Sequence, residues 1–320
     1  MPTALRWVTL LFVVLGITSV APARDVFVDN EAGNDRFLGT AQQPLADRSG
    51  PVKTIRRALE IAGAGDRVVL AKTGQPYREC VSLVGSRHSG TERHPFVIEG
   101  NGAILEGADA VAEKRWEHCY DTVFRFRPRH LVYQQLFIND RPAPRIMCSR
   151  PMTAPPELDS LEWCLFDGHI YFRAEPYKRP ENYALTVATR QTGITLFHVD
   201  HVTISNLTVQ GFQLDAINAH NSARHVILQN VTCRGNGRAG VAVGGASQLS
   251  VESSLLGNNG EAQLLTNPYS ETYVIKSRLL SNTAPGWIDR GGRVRIDGEV
   301  VEGGLDEMPP AETEPAPAEG

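Results

Sequence analysis

The 320-residue chain lacks a charge excess: 32 Lys and Arg stand against 36 Asp and Glu, a formal net charge of −4. That balance builds no basic surface for nucleic acid or an anionic membrane, so no nucleic-acid partner is expected. After residue 23 the chain also lacks any apolar run of the roughly 20 residues that a bilayer crossing needs. Cysteine is sparse, five residues in all, and Cys80, Cys119, Cys148 and Cys164 show no metal-knuckle spacing. Those four can pair in several ways, whereas Cys233 falls in an apolar column and reads as a small buried hydrophobe. The C-terminal third lacks any ten-residue helical pattern, which excludes helical and leucine-rich solenoids.

What is present there is a repeat. Val202, Val226, Leu249 and Tyr273 are spaced by 24, 23 and 24 residues. The same register carries Ile204, Leu228, Val251 and Ile275, then Val209, Cys233, Leu256 and Leu280, then Ile217, Val241, Leu264 and Ile288. Within each unit the apolar residues alternate, as in Val202 and Ile204 or Ile217 and Ala219, and period two means strands. Three short strands per 23 or 24 residues describe one coil of a parallel β-helix, a solenoid whose units bury apolar faces against their neighbours. The bends carry ladders of their own: Asn206, Asn230, Ser253 and Ser277 in one column, and Gly211, Gly235, Asn258 and Asn282 in another. Gly and Asn tolerate positive φ, so these are structural turn residues rather than sugar ligands.

The expected fold is therefore all-β, a right-handed parallel β-helix with an N-terminal capping helix and one inserted loop module. Residues 1–23 read as a secretory signal: Arg6 supplies the positive end, an apolar run follows, and Ala21-Pro22-Ala23 is a small-residue cleavage site. The protein is thus expected to be secreted, periplasmic or at the cell surface, with no membrane insertion after cleavage. The β-helix domain spans 24–304. Its cap begins at Pro51-Val52-Lys53-Thr54, with Ile55, Leu59 and Ala62 on one helical face. Strand-like runs follow from Arg67, Cys80, Phe96 and Ala103 as first coils. The segment from His130 to Ile138 resembles His201 to Val209, and residues 139–184 read as an elaboration projecting from one coil. The tail at 305–320, acidic and rich in Pro and Ala, has little to bury and is expected to be disordered.

Several local patterns sharpen the comparison. Phe27-Val28-Asp29-Asn30, Gly33-Asn34-Asp35, Gly39-Thr40, the Pro51 to Leu59 segment, Gly65 to Leu70 and Tyr77-Arg78-Glu79 resemble the opening of secreted bacterial β-helix proteins of the pectin-lyase-like superfamily. The insert, with Phe137 to Arg141 and Arg145, is similar to inserts of β-helix glycosidases. The resemblance implies a polysaccharide or surface-glycan partner. It does not name a reaction, because the fold hosts lyases, hydrolases, esterases, epimerases and non-catalytic adhesins.

Parity against the Ile217 column points Asn218, Gln263, Trp287 and Asp289 outward as substrate-binding candidates. Asp215, Arg238 and Glu261 lie just before that strand and His220 just after it; these four are the catalytic candidates. Asp215 and Asp289, three coils apart, would be roughly 14 Å apart, and Asp215 and Glu261, two coils apart, roughly 10 Å. The second spacing is marginal for an inverting hydrolase, which uses about 6.5–9.5 Å, and too long for a retaining one. Asp215 resembles one carboxylate of the Asp-Asp-x-Ile motif of polygalacturonase-type hydrolases, but Leu214 replaces the first Asp and that family's Gly-His-Gly and Arg-x-Lys motifs are missing. A lyase would need a cation and a base, with Arg238 and His220 as candidates. The bland reading is an exposed Arg238–Glu261 ion pair. No cofactor is implied; Glu261 or Asp215 could hold Ca²⁺, but that ion takes 6–8 oxygen ligands and the sequence shows no dense acidic cluster in support. His201 and His225 should stack on adjacent coils, either capping a turn or holding a metal. Trp163 in the insert is either a sugar platform or the anchor of a small core, and Asp159 or Asp167 could deliver a carboxylate to the strand face. The rival to an enzyme is a non-catalytic surface or glycan-binding solenoid, which Ala216, Gly240 and Ala242 on the candidate face favour.

Overall fold

The computed structural model describes residues 23–305 except 46–47, 130–132 and 149–151. Nearly all of the expected signal (1–23) and of the expected tail (305–320) lies outside the described residues, as do His130 and Leu131. Strands stack into two parallel sheets that run the length of a solenoid. One follows the order Asp25–Val28, Arg67–Leu70, Phe96–Glu106, Asp200–Gln210, Arg224–Gln229, Gln248–Glu252, Glu271–Ile275 and Arg293–Ile296. The other runs Val81–Val84, Ile194–Phe197, Ile217–His220, Ala239–Val243, Ala262–Thr266 and Trp287–Asp289. Between them lies one continuous apolar core, with Val202, Ile204, Val226, Leu228, Leu249 and Val251 on one wall and Leu196, Ile217, Val241 and Leu264 on the other. Among the described residues no helix is long and apolar enough to cross a membrane.

The four expected columns hold through the third coil: Val202 pairs with Val226, and Val226 with Leu249. In the fourth coil they slip by one. Leu249 pairs with Thr272, Val251 with Val274, Leu256 with Leu279 and Leu264 with Trp287. Tyr273, Ile275, Leu280 and Ile288 are therefore not the core members that hydrophobicity alone selects. The cause is Thr272, a polar residue facing inward with no exposure and with no hydrogen-bond partner for its hydroxyl. A buried hydroxyl without a partner is destabilising, so Thr272→Val is expected to raise stability by about 1–2 kcal/mol. Thermal unfolding checks this, with a rise in Tm of roughly 2–4 °C expected.

Both ends of the core are closed. The helix Ile55–Ile61 presses Ile55, Ala58 and Leu59 onto the first coil. Thr54 caps it by accepting from the Arg57 amide, and the Glu79 carboxylate accepts from the amides of Ile55 and Arg56 at 2.9 and 3.0 Å. The Tyr77-Arg78-Glu79 pattern thereby gains a physical role, since the Tyr77 hydroxyl also lies within hydrogen-bond distance of the carbonyls of Ala71 and Val28, at 2.9 and 3.1 Å. At the far end Arg293–Ile296 folds back in a hairpin with Glu299–Val301, and Leu305 bridges to Trp287.

The insert is wider than the expected 139–184. Antiparallel structure begins at Ala108 and returns at Ala188. One sheet joins Trp163–Phe166, His169–Arg173, Val123–Phe126 and Glu117–Tyr120, and the other Ala108–Ala110, Leu185–Ala188, Leu136–Ile138 and Arg141–Pro142. Leu136–Ile138 is thus no coil of the solenoid, although its sequence resembles one; alternating apolar residues suit antiparallel and parallel pairing alike. Asp200–Gln210 stacks directly on Phe96–Glu106 instead. Trp163 is fully buried in the insert's own core and donates its Nε1–H to the Ala143 carbonyl, which removes it as a sugar platform. Cys164 is buried there, its thiol pushed up to about 12 chiefly by burial, and Cys233 is buried in the main core as expected.

Candidate functional site

The outward face of the shorter parallel sheet gathers four of the eight expected site residues. Asp215 lies at the bend entering Ile217–His220 and has no exposure. Arg238, one coil on, meets it side-on: Nε donates to Oδ1 at 2.9 Å and Nη2 to Oδ2 at 2.5 Å. This bond to the carboxylate raises the guanidinium pKa above its ordinary value, against the lowering effect of burial. Asn218 adds a third donor, its Nδ2 lying 2.6 Å from Asp215 Oδ2. Because that amide nitrogen faces the carboxylate, the Asn218 carbonyl oxygen is left facing the imidazole of His220, to whose Nδ1 it is bonded. A carbonyl can only accept, so His220 carries its proton on Nδ1 and keeps a lone pair on Nε2. Arg238, Asp215, Asn218 and His220 form one directed chain that fixes a tautomer.

The residues beside His220 follow from register. Val84, Phe197 and His220 stack on successive coils, and the row continues through Gly244 and Asn267 to Arg290. Phe197 is 39% exposed, and its ring centroid lies 6.1 Å from that of His220 at 68°. A half-exposed aromatic ring beside an oriented imidazole offers an apolar platform next to a polar group. Sequence reading missed Phe197 because the Ile194–Phe197 strand precedes the columns used to set parity. The alternation of Ile194 and Leu196 inward with Phe197 outward was the available signal.

The other four candidates do not join this face in the expected way. Glu261 pairs with Arg290 rather than Arg238. Each candidate carboxylate is thus held by its own arginine, and Asp215 cannot touch solvent, so the Asp215–Glu261 hydrolase pair has no geometric support. Gln263, near the start of the strand Ala262–Thr266, is fully buried; its Oε1 accepts from the Asn259 side chain at 2.8 Å and its Nε2 donates to the Ala284 carbonyl. Trp287 is also fully buried, because the one-residue slip of the last coil turns it inward, and its Nε1–H donates to Thr266 Oγ1 at 2.8 Å. Asp289 is exposed but closes a turn by accepting from the amides of Gly291 and Gly292.

The insert packs against the turn before Arg238. A Cβ at Gly237 would stand 1.9 Å from the Tyr133 carbonyl oxygen, and one at Gly260 would stand 2.8 Å from Gln135 Nε2. Only glycine admits so close an approach at Gly237. The insert meets the scaffold here through Tyr133, Gln135 and Phe137. Asp159 and Asp167 instead occupy turns of the insert itself, Asp167 at φ 43° between the hairpin strands.

Residues 188–302 match the family described as right handed beta helix region. The fold is a right-handed parallel β-helix. This β-helix is similar to a solved structure titled glycoside hydrolase, with a TM-score of 0.59 and 12% identity, over 82% of this chain and 74% of that one. It is also similar to pectate lyase Pel9A, at TM-score 0.48 and 11% identity over 87% and 53% of the two chains. A third similar structure is the GH136 lacto-N-biosidase from Eubacterium ramulus, at TM-score 0.39 and 11% identity over 79% and 43%. No curated protein matches the sequence.

Proposed function

We propose that this β-helix is an exported protein that binds a polysaccharide along the outward face of its shorter parallel sheet and acts on it with His220 as proton acceptor. The observation that carries this reading is the hydrogen-bonded chain from Arg238 through Asp215 and Asn218 to His220, which leaves Nε2 as a base beside the Phe197 ring. Base-led proton abstraction, as in elimination from a uronate, fits one oriented imidazole; hydrolysis by two carboxyl groups does not fit Asp215 and Glu261, each closed by an arginine. The glycan-acting structures that share the fold support a carbohydrate substrate class, and the signal-like residues 1–23 support export.

The test is incubation with uronate and neutral polysaccharides, with and without Ca²⁺, reading unsaturated-product absorbance and new reducing ends together. Absorbance rising with reducing ends is expected, and His220→Ala should lower it about 10²–10⁴-fold, the usual contribution of a general base. Reducing ends without absorbance would sink the base-led reading. A second reading, a non-catalytic glycan-binding solenoid, is favoured by the arginine-closed carboxylates; it would be indicated by retention on a polysaccharide with no product.

A further inference from the structure

A second cluster sits on the longer parallel sheet, where the strands Asp200–Gln210 and Arg224–Gln229 begin. Asp200, His201 and His225 come together where two coils stack. His201 Nδ1 lies 2.9 Å and His225 Nδ1 2.7 Å from the same oxygen, Asp200 Oδ1. The two imidazoles are stacked, with centroids 4.4 Å apart and an interplanar angle of 23°. Both histidines hold left-handed backbone, at φ 52° and 48°, a conformation uncommon for residues other than Gly and Asn. Register explains the coincidence: Asp200 pairs with Arg224 and Val202 with Val226, so the two histidines occupy equivalent positions one coil apart and project identically.

We infer that Asp200, His201 and His225 form a binding site for a divalent transition-metal ion, with Zn²⁺ as its natural probe. The donor atoms of all three lie within 4.8 Å of one another. Tetrahedral coordination with bonds of about 2.0–2.1 Å places ligand atoms roughly 3.3 Å apart. Each Nδ1 then retreats from Asp200 Oδ1 by about half an ångström, and the two imidazole donors, within 4.8 Å of one another, close to the same spacing. Two imidazoles and one carboxylate suit Zn²⁺ or a neighbouring transition ion and not Ca²⁺, which requires an all-oxygen shell. Three protein ligands leave a fourth position open. Both histidines also line a groove of about 500 Å³, together with Glu92, Thr203, Gln248, Ser250 and Tyr273. The inference is independent of the function proposed for His220.

The experiment is calorimetric titration of the chelator-stripped, untagged full chain with Zn²⁺, followed by Co²⁺ substitution read in the visible spectrum. One equivalent of Zn²⁺ and a tetrahedral Co²⁺ band are expected. His225→Ala and Asp200→Asn should each weaken uptake by at least about 10–100-fold, the loss that even an outer-sphere partner brings. His198→Ala, a nearby histidine outside the cluster, should leave it unchanged. His225→Gln with a native circular-dichroism spectrum guards against a misfolded variant. No saturable uptake below millimolar Zn²⁺, or equal uptake by a folded His201→Gln/His225→Gln protein, would overturn the assignment.

Discussion

Asp215→Ala is expected to destabilise the protein by about 3 kcal/mol and to abolish whatever reaction the shorter sheet supports. The carboxylate is fully buried and accepts three hydrogen bonds, two from Arg238 and one from Asn218. Removing one partner of a buried pair costs about 3–5 kcal/mol because a charge is left without compensation. Arg238 retains 26% exposure of its side chain, so water recovers part of that loss and the lower end applies. Urea unfolding of Asp215→Ala, Arg238→Ala and the double variant checks this. The double variant should cost clearly less than the sum of the single changes, since it leaves neither charge stranded. Strict additivity would mean that the pair is not coupled. Asn218→Ala should spare most of the stability but release the His220 tautomer, lowering activity more than it lowers the unfolding midpoint.

Trp287→Ala should be the other large loss, about 3–5 kcal/mol, as for a buried aromatic removed from a packed core. The ring is fully buried, donates to Thr266 and carries the bridge to Leu305 that closes the last coil. Differential scanning calorimetry reads the loss. Glycan affinity measured per folded molecule, at a temperature below the lowered transition, should be unchanged. A fall in affinity with little change in stability would restore Trp287 to the surface role that strand parity gave it.

The contrast between Trp287 and Asp215 shows what the sequence carries. Coil architecture was legible because apolar residues recur at coil spacing, and the cap was legible from Thr54, Ile55 and Leu59. The last coil was not, because the inward residue there is Thr272 while its neighbour Tyr273 is the more apolar. A single polar residue in a core column shifts every later parity assignment by one, and Trp287 inherited the error. Gln263 failed differently: all five residues of its strand are buried, so alternation does not sort them, and its amide extends the buried ladder of Asn236 and Asn259. Asp215, Arg238, Asn218 and His220 were all candidates by sequence, but their connectivity was not legible, since Arg238 could have reached Glu261 as readily. Phe197 went unread because its strand follows an insert of about eighty residues that hides its place in the stack.

The most direct test of the account is affinity electrophoresis through polysaccharide-containing gels, comparing the wild-type protein with Phe197→Ala. The side chain is 39% exposed, so its loss should leave the fold intact. The account predicts that at least one polysaccharide retards the wild-type protein and that Phe197→Ala largely loses that retardation. Equal retardation of both proteins would contradict the placement of the glycan on this face.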